Sequence, residues 1–214
     1  MPYLSWYKRL KVENGFLSNT DDVKDPTLYD FLSNSYDANK KQDIGGYILD
    51  PELSTHNHQA YFHPQEKKLV FAVTGTHTLS DVGTDIKLGL GRGFKESHRY
   101  KSAESALENA KAKYGVESAS VVGHSLGGAI AGNIASSQDK VITLNKGATI
   151  GQKVRQNEQG YRVAGDVVSA LNANSTHMTT LEKKHSSSSG VGGLLQGALD
   201  SHNSENIKNE PIYV

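Results

Sequence analysis

The segment Gly123-His124-Ser125-Leu126-Gly127 limits what this chain can fold into more than any other. Ser120-Val121-Val122, apolar at its last two positions, precedes it, and a run of mostly small residues, Gly128-Ala129-Ile130-Ala131-Gly132, follows. The first stretch predicts a strand over 118–122, the second a helix from Leu126 to about Ser136. A serine at the apex of so sharp a strand-to-helix turn takes strained backbone dihedrals. Its neighbours two residues away on either side have no room for a Cβ, which accounts for glycine at 123 and 127. The N-terminus of the following helix directs its positive dipole end toward whatever lies over the serine. The bland alternative is a glycine-rich turn that merely packs tightly.

The rest of the chain supplies a framework for such a turn. Leu69-Val70-Phe71-Ala72-Val73 is apolar without alternation, as in a strand buried on both faces. Gln59 to His63 predicts its hairpin partner, with turn residues Pro64-Gln65-Glu66-Lys67 between them. Tyr100, Ala103, Leu107, Ala110 and Tyr114 form one apolar stripe, predicting a helix from about Glu96 that Gly115 stops. Val141 to Leu144 and Tyr161 to Val163 read as further strands, and Leu28 to Tyr36 as a helix. The alternation of strand and helix predicts an α/β fold: a mostly parallel sheet flanked by helices, with the antiparallel hairpin at one side. Residues 1–214 read as a single domain, on which 1–55 packs as an extension of short helices and loops. Residues 77–95 and the Ser/Gly-rich 186–199 read as irregular, and either could serve as a flap.

Composition narrows function by exclusion. Lys plus Arg equals Asp plus Glu, 23 each, so no bulk field favours nucleic acid. Cysteine is absent, which excludes disulfides, thiolate metal sites and a cysteine nucleophile. The start lacks the apolar core of a signal peptide and no run approaches transmembrane length. The expectation is therefore a cytoplasmic or virus-associated protein.

A serine hydroxyl becomes nucleophilic at neutral pH only beside an imidazole base, a carboxylate that orients the base, and amide donors for the oxyanion. Val121-Val122-Gly123-His124-Ser125-Leu126-Gly127-Gly128-Ala129-Ile130 resembles the elbow of the class 3 (fungal-type) lipase family within the α/β-hydrolase superfamily. Two further segments are similar to it in the same order. One is Phe71 to Thr76 with Asp81 and Asp85 after it; the other runs from Thr143 to Gly151 and on through Tyr161 to Val168. The resemblance covers about residues 58–170. Thr74 stands where the family has arginine, and Lys146-Gly147-Ala148-Thr149 where it usually has Ser-Pro-Arg. These departures bear on substrate class and location more than on the chemistry.

The resemblance implies an α/β-hydrolase fold with Ser125 as nucleophile and the N–H groups of Thr76 and Leu126 as the oxyanion hole. Asp166 is the expected carboxylate: it follows a short strand, and Gly165 lets the chain turn there. Asp139 precedes its strand and so lies at the wrong end of the sheet. Asp81 and Asp85 precede the serine, against the Ser-Asp-His order of this fold. His202 is the expected base, because enough chain precedes it to return to the sheet; His177 and His185 are the alternatives. His124, adjacent to the serine, reads as structural, and His56, His58 and His63 as surface residues of the hairpin rather than a metal site. The implied activity is carboxylic ester hydrolysis on glycerolipid, triacylglycerol or phospholipid, with no cofactor and with transient contact to a lipid or membrane interface. A small-ester esterase or acyltransferase, and a catalytically silent member of the fold with a structural or interaction role, are the competing readings.

Overall fold

The computed structural model describes residues 25–76, 94–147, 154–172, 177–184 and 200–214. In it eight strands lie side by side in the order in which the chain makes them. The strands are β1 (Asp43–Ile44), β2 (Tyr47–Asp50), β3 (His58–His63), β4 (Lys68–Val73), β5 (Ser120–His124), β6 (Lys140–Leu144), β7 (Glu158–Val163) and β8 (Met178–Leu181). The pairings from β1 to β4 are antiparallel and those from β4 to β8 parallel.

Alternation along the strands divides the core into two layers. Leu69, Phe71 and Val73 of β4, with Val121 and Val141, pack under α2 (His98–Tyr114) and α3 (Leu126–Ile134). Val70 and Ala72, with Val122, Ile142 and Leu144, face α1 (Leu28–Tyr36) and the C-terminal residues Ile207 and Ile212. A strand with a helix layer on each side has no polar face, hence the unbroken apolar run. Crossovers of one hand between sequential parallel strands put their helices on one face, and α2 and α3 share a face.

Local chemistry sets the helix ends. Ser97 accepts the Tyr100 N–H at the start of α2, and Gly115 closes it in the left-handed region at φ 63°. Asp30 accepts the Thr27 N–H at 2.7 Å at the start of α1.

The N-terminal region departs from expectation. Within 1–55, read as helix and loop, β1 and β2 extend the antiparallel side of the sheet. Gly45 and Gly46 both have positive φ (58° and 89°), the requirement of a two-residue hairpin between strands of natural twist. At the opposite edge β8 adds a parallel strand that the sequence reading did not place. Both candidate flaps fall largely on 77–93 and 185–199, outside the described residues. Among the described residues no helix is long and apolar enough to cross a membrane.

Two ion pairs are buried beneath this framework. Lys111 meets Asp139 at 2.8 Å, and Lys146 meets Glu158 at 2.7 Å with both side chains fully enclosed. Glu158 also accepts Thr143 Oγ1 and the Arg155 N–H, so its charge is surrounded by donors. Removing the lysine alone leaves a buried carboxylate without its counter-charge. Lys146→Met is therefore expected to lower stability by about 3–5 kcal/mol, and Lys146→Met/Glu158→Gln to recover part of that loss. Urea unfolding midpoints check this; an unchanged midpoint in the single variant would mean that the neighbouring donors suffice.

Candidate active site

The turn after β5 is compressed to the limit that glycine allows. A Cβ on Gly123 would lie 2.4 Å from the Gly127 carbonyl oxygen, and one on Gly127 would lie 2.2 Å from that of Val73. Neither position tolerates a side chain. Between them Ser125 adopts φ 58° and ψ −125°, a strained state for a non-glycine residue, and caps the N-terminus of α3. Its backbone is held on both sides: its N–H donates to the Leu144 carbonyl at 3.1 Å, and its carbonyl accepts from Gly147 at 3.0 Å. The hydroxyl is buried and has no hydrogen-bond partner among the described residues. Sheet order, crossover helices and a serine at positive φ between strand and helix together define the architecture. It is that of an α/β hydrolase.

Asp166 and His202, 36 residues apart, meet at the same end of the parallel strands. His202 Nδ1 donates to Asp166 Oδ1 at 2.7 Å, and both side chains are buried. Asp166 sits just past β7, where Gly165 turns the chain at φ 85°. Its second oxygen accepts the Ser169 N–H at 2.8 Å and the Ser169 hydroxyl. Burial alone would raise the Asp166 carboxyl; the hydrogen bond and charge of His202 and the Ser169 donors outweigh it and hold the carboxyl below its ordinary value. With Nδ1 engaged, His202 presents Nε2, which is buried and without a partner among the described residues.

The turn that carries His202 is tied to the sheet through two successive carbonyls. Asn145, itself at φ 45°, donates to the Ser201 carbonyl at 3.0 Å while its own side-chain oxygen accepts the Val163 N–H at 2.8 Å. His124 Nε2 lies 2.7 Å from the His202 carbonyl oxygen. A carbonyl can only accept, so Nε2 carries the proton and Nδ1 of the neutral ring is an acceptor. Nδ1 lies 2.8 Å from the Tyr36 hydroxyl. Desolvation, with the nearby His202 second, pushes His124 down to about 3.

Thr76 stands just past β4 beside the turn. A Cβ on Gly75 would come within 3.2 Å of Ser125 Cβ, which measures how close this loop runs to the serine. The Gly75 N–H donates to the Tyr36 hydroxyl at 2.8 Å, while Arg99 of α2 donates to the carbonyls of Thr74 and Gly75. The Thr76 hydroxyl is buried and without a partner among the described residues. Leu126, the first residue of α3, is buried directly after the serine.

The other sequence candidates lie elsewhere. His177 precedes β8 and lends its backbone carbonyl to Gly160. His185, Asp81 and Asp85 are outside the described residues. Asp139 is committed to Lys111, Ser136 and the Ala119 N–H. The hairpin histidines need a correction: His58 is buried, stacked on Phe71 at 5.4 Å, and burial pushes it down to about 4. Its site lies under α2, so the strand's alternation carries it inward. His56 precedes β3 and is exposed. Tyr36, Ser169, Asn145 and Arg99 were not singled out from the sequence. Only Ser169 left a trace there, as the end of an Asp-x-x-Ser pattern in which the serine N–H returns to the carboxylate.

No protein-family model matches the chain, and no curated protein does. Among solved structures the chain is similar to a triacylglycerol lipase described as having a serine protease triad as its catalytic centre. The TM-score is 0.46 at 14% identity, over 74% of this chain and 78% of that one. It is also similar to a mutant form of MDLA from Penicillium cyclopium, with a TM-score of 0.44 at 15% identity, over 77% and 81% of the two chains.

The neutral, buried His124 has a consequence for acid stability. Its pKa is lower folded than unfolded, so between about 6.5 and 3 the unfolded chain holds the extra proton. Its contribution to stability is complete above about pH 6.5 and is lost as pH falls through that window, at up to about 1.4 kcal/mol per pH unit. His124→Gln keeps a donor for the His202 carbonyl and removes the titration. Urea unfolding from pH 7 to 4 should show a shallower acid loss in this variant; equal slopes would refute the assignment.

Proposed function

We propose that the protein is a serine ester hydrolase of lipase type. What supports this reading is the buried Asp166–His202 pair, whose His202 carbonyl is hydrogen-bonded to His124, the neighbour of the strained Ser125. In the proposed reaction Ser125 Oγ attacks the acyl carbonyl carbon while its proton passes to His202 Nε2. The tetrahedral intermediate then expels the alcohol, which takes that proton, and leaves an acyl-enzyme. Water, deprotonated by the same nitrogen, releases the carboxylic acid and restores the serine. Asp166 keeps the His202 ring in the tautomer with Nε2 open and stabilises its charged form. The N–H groups of Thr76 and Leu126 receive the oxyanion, the second at the positive end of α3. No step calls for a cofactor. The resemblance of the elbow supports glycerolipid esters as substrates.

A fluorophosphonate should label the wild type and not Ser125→Ala. Hydrolysis of p-nitrophenyl esters should fall by about 10⁴ or more in Ser125→Ala and His202→Ala, and by about 10⁴ in Asp166→Asn. Comparison of short-chain esters, long-chain triacylglycerol and phospholipid separates lipase from esterase. An unlabelled, inactive wild type would overturn the hydrolase reading. An unaffected His202→Ala would overturn His202 as the base.

A further inference from the structure

We infer that Tyr36 is a positioning residue that couples the oxyanion loop to the base; this rests on the hydrolase reading above. The phenol has one proton and is bound on two sides. It accepts the Gly75 N–H at 2.8 Å, so its own proton goes to His124 Nδ1 at 2.8 Å. The direction of the second bond is forced, because His124 Nε2 must spend the ring's only proton on the His202 carbonyl at 2.7 Å. The result is one directed chain: Gly75 N–H to Tyr36, Tyr36 to His124, His124 to the backbone of His202.

Each end of that chain holds one half of the proposed machinery. At one end Gly75 immediately precedes Thr76. Its Cα hydrogens occupy the only space left there, since a Cβ would fall 2.1 Å from the Tyr36 oxygen and 2.7 Å from the His124 carbonyl oxygen. At the other end is the turn that aims the His202 ring. Between them, the residue next to Ser125 is fixed by both. The Tyr36 ring packs edge-on to the His124 ring with centroids 5.7 Å apart, which sets the phenol's angle. The neighbouring Ser35 carbonyl also accepts the Thr74 hydroxyl at 3.2 Å, so the end of α1 grips the same loop twice. α1 thus acts as a jig that fixes the spacing between oxyanion donors and base. Donors misplaced by a fraction of an ångström bind substrate as before but hold the transition state less well.

Tyr36→Phe keeps the ring and removes both bonds. With short-chain p-nitrophenyl esters, and rates expressed per serine titrated by fluorophosphonate, kcat should fall about 10- to 100-fold. KM should stay within about twofold. The inhibition constant of an alkyl boronic acid, which mimics the tetrahedral state, should rise in parallel with the loss of kcat/KM. His124→Leu removes both the acceptor of the Tyr36 proton and the donor to the His202 carbonyl, and should act in the same sense. A purely structural role would lower the urea midpoint and the titratable fraction, leaving kcat per titrated site and boronate affinity unchanged; that result overturns the inference. If wild type is labelled and active while both variants match it per site, the inference fails and the hydrolase reading stands. If wild type is neither labelled nor active, the hydrolase reading fails and takes the inference with it.

Discussion

The contact on which the rest of the structure depends is backbone against backbone, where the start of α3 crosses the ends of β4 and β5. Gly127 lies so close to the Val73 and Thr74 carbonyls that a single methyl group would force the helix away from the sheet. That closeness bends the chain at Ser125 into its positive φ and leaves the hydroxyl at the mouth of the parallel strands. It also brings the loop of Gly75 and Thr76 alongside, because that loop is the continuation of the strand Gly127 touches. The strain at Ser125, of order 1–3 kcal/mol, is sustained by close packing and by the backbone bonds to Leu144 and Gly147.

Charge is handled differently at each depth. Beneath α3, Lys146 and Glu158 neutralise one another in full enclosure. At the strand ends, Asp166 is held ionised by His202 and Ser169, while His124, one residue from the serine, is held neutral by burial. Two imidazoles lie with centroids 4.8 Å apart, one hydrogen-bonded to a carboxylate and the other between a phenol and a carbonyl. Different partners give the same side chain two different roles.

Legibility in the sequence followed the range of the interaction. α1 and β4 begin and end where their apolar patterns predicted, because periodicity is local. β1 and β2 escaped because strands of two and four residues carry almost no period, and the Gly45-Gly46 signal between them reads equally as a loop. β8, Met-Thr-Thr-Leu at a sheet edge, is half polar and close to solvent. Ser125 could be read from its neighbours. Asp166 and His202 were expected from the family resemblance and from chain order, and the fold brings their side chains into contact. Tyr36 had no signal: its partners are 39 and 88 residues away, and only the folded sheet puts its hydroxyl between them. The burial of His58 was hidden likewise, since a histidine in a strand does not announce which layer it faces.

The segment 200–214 carries His202 yet adds no strand to the eight. It lies across α1, joined to it by the Leu28 N–H to the Ile212 carbonyl, by the Tyr29 hydroxyl to Glu205, and by the single bridge of Thr27 with Tyr213. The proposed nucleophile is thus built into the sheet, whereas the proposed base rides on a strap laid over it. If this strap lifts, Ile207 and Ile212 leave the second core layer and every pair of the sheet ladder stays intact. Such a partial opening would part His202 from Asp166 while Ser125 kept its strained geometry. The proposed reactive assembly therefore depends on the docking of this strap as well as on the sheet beneath it.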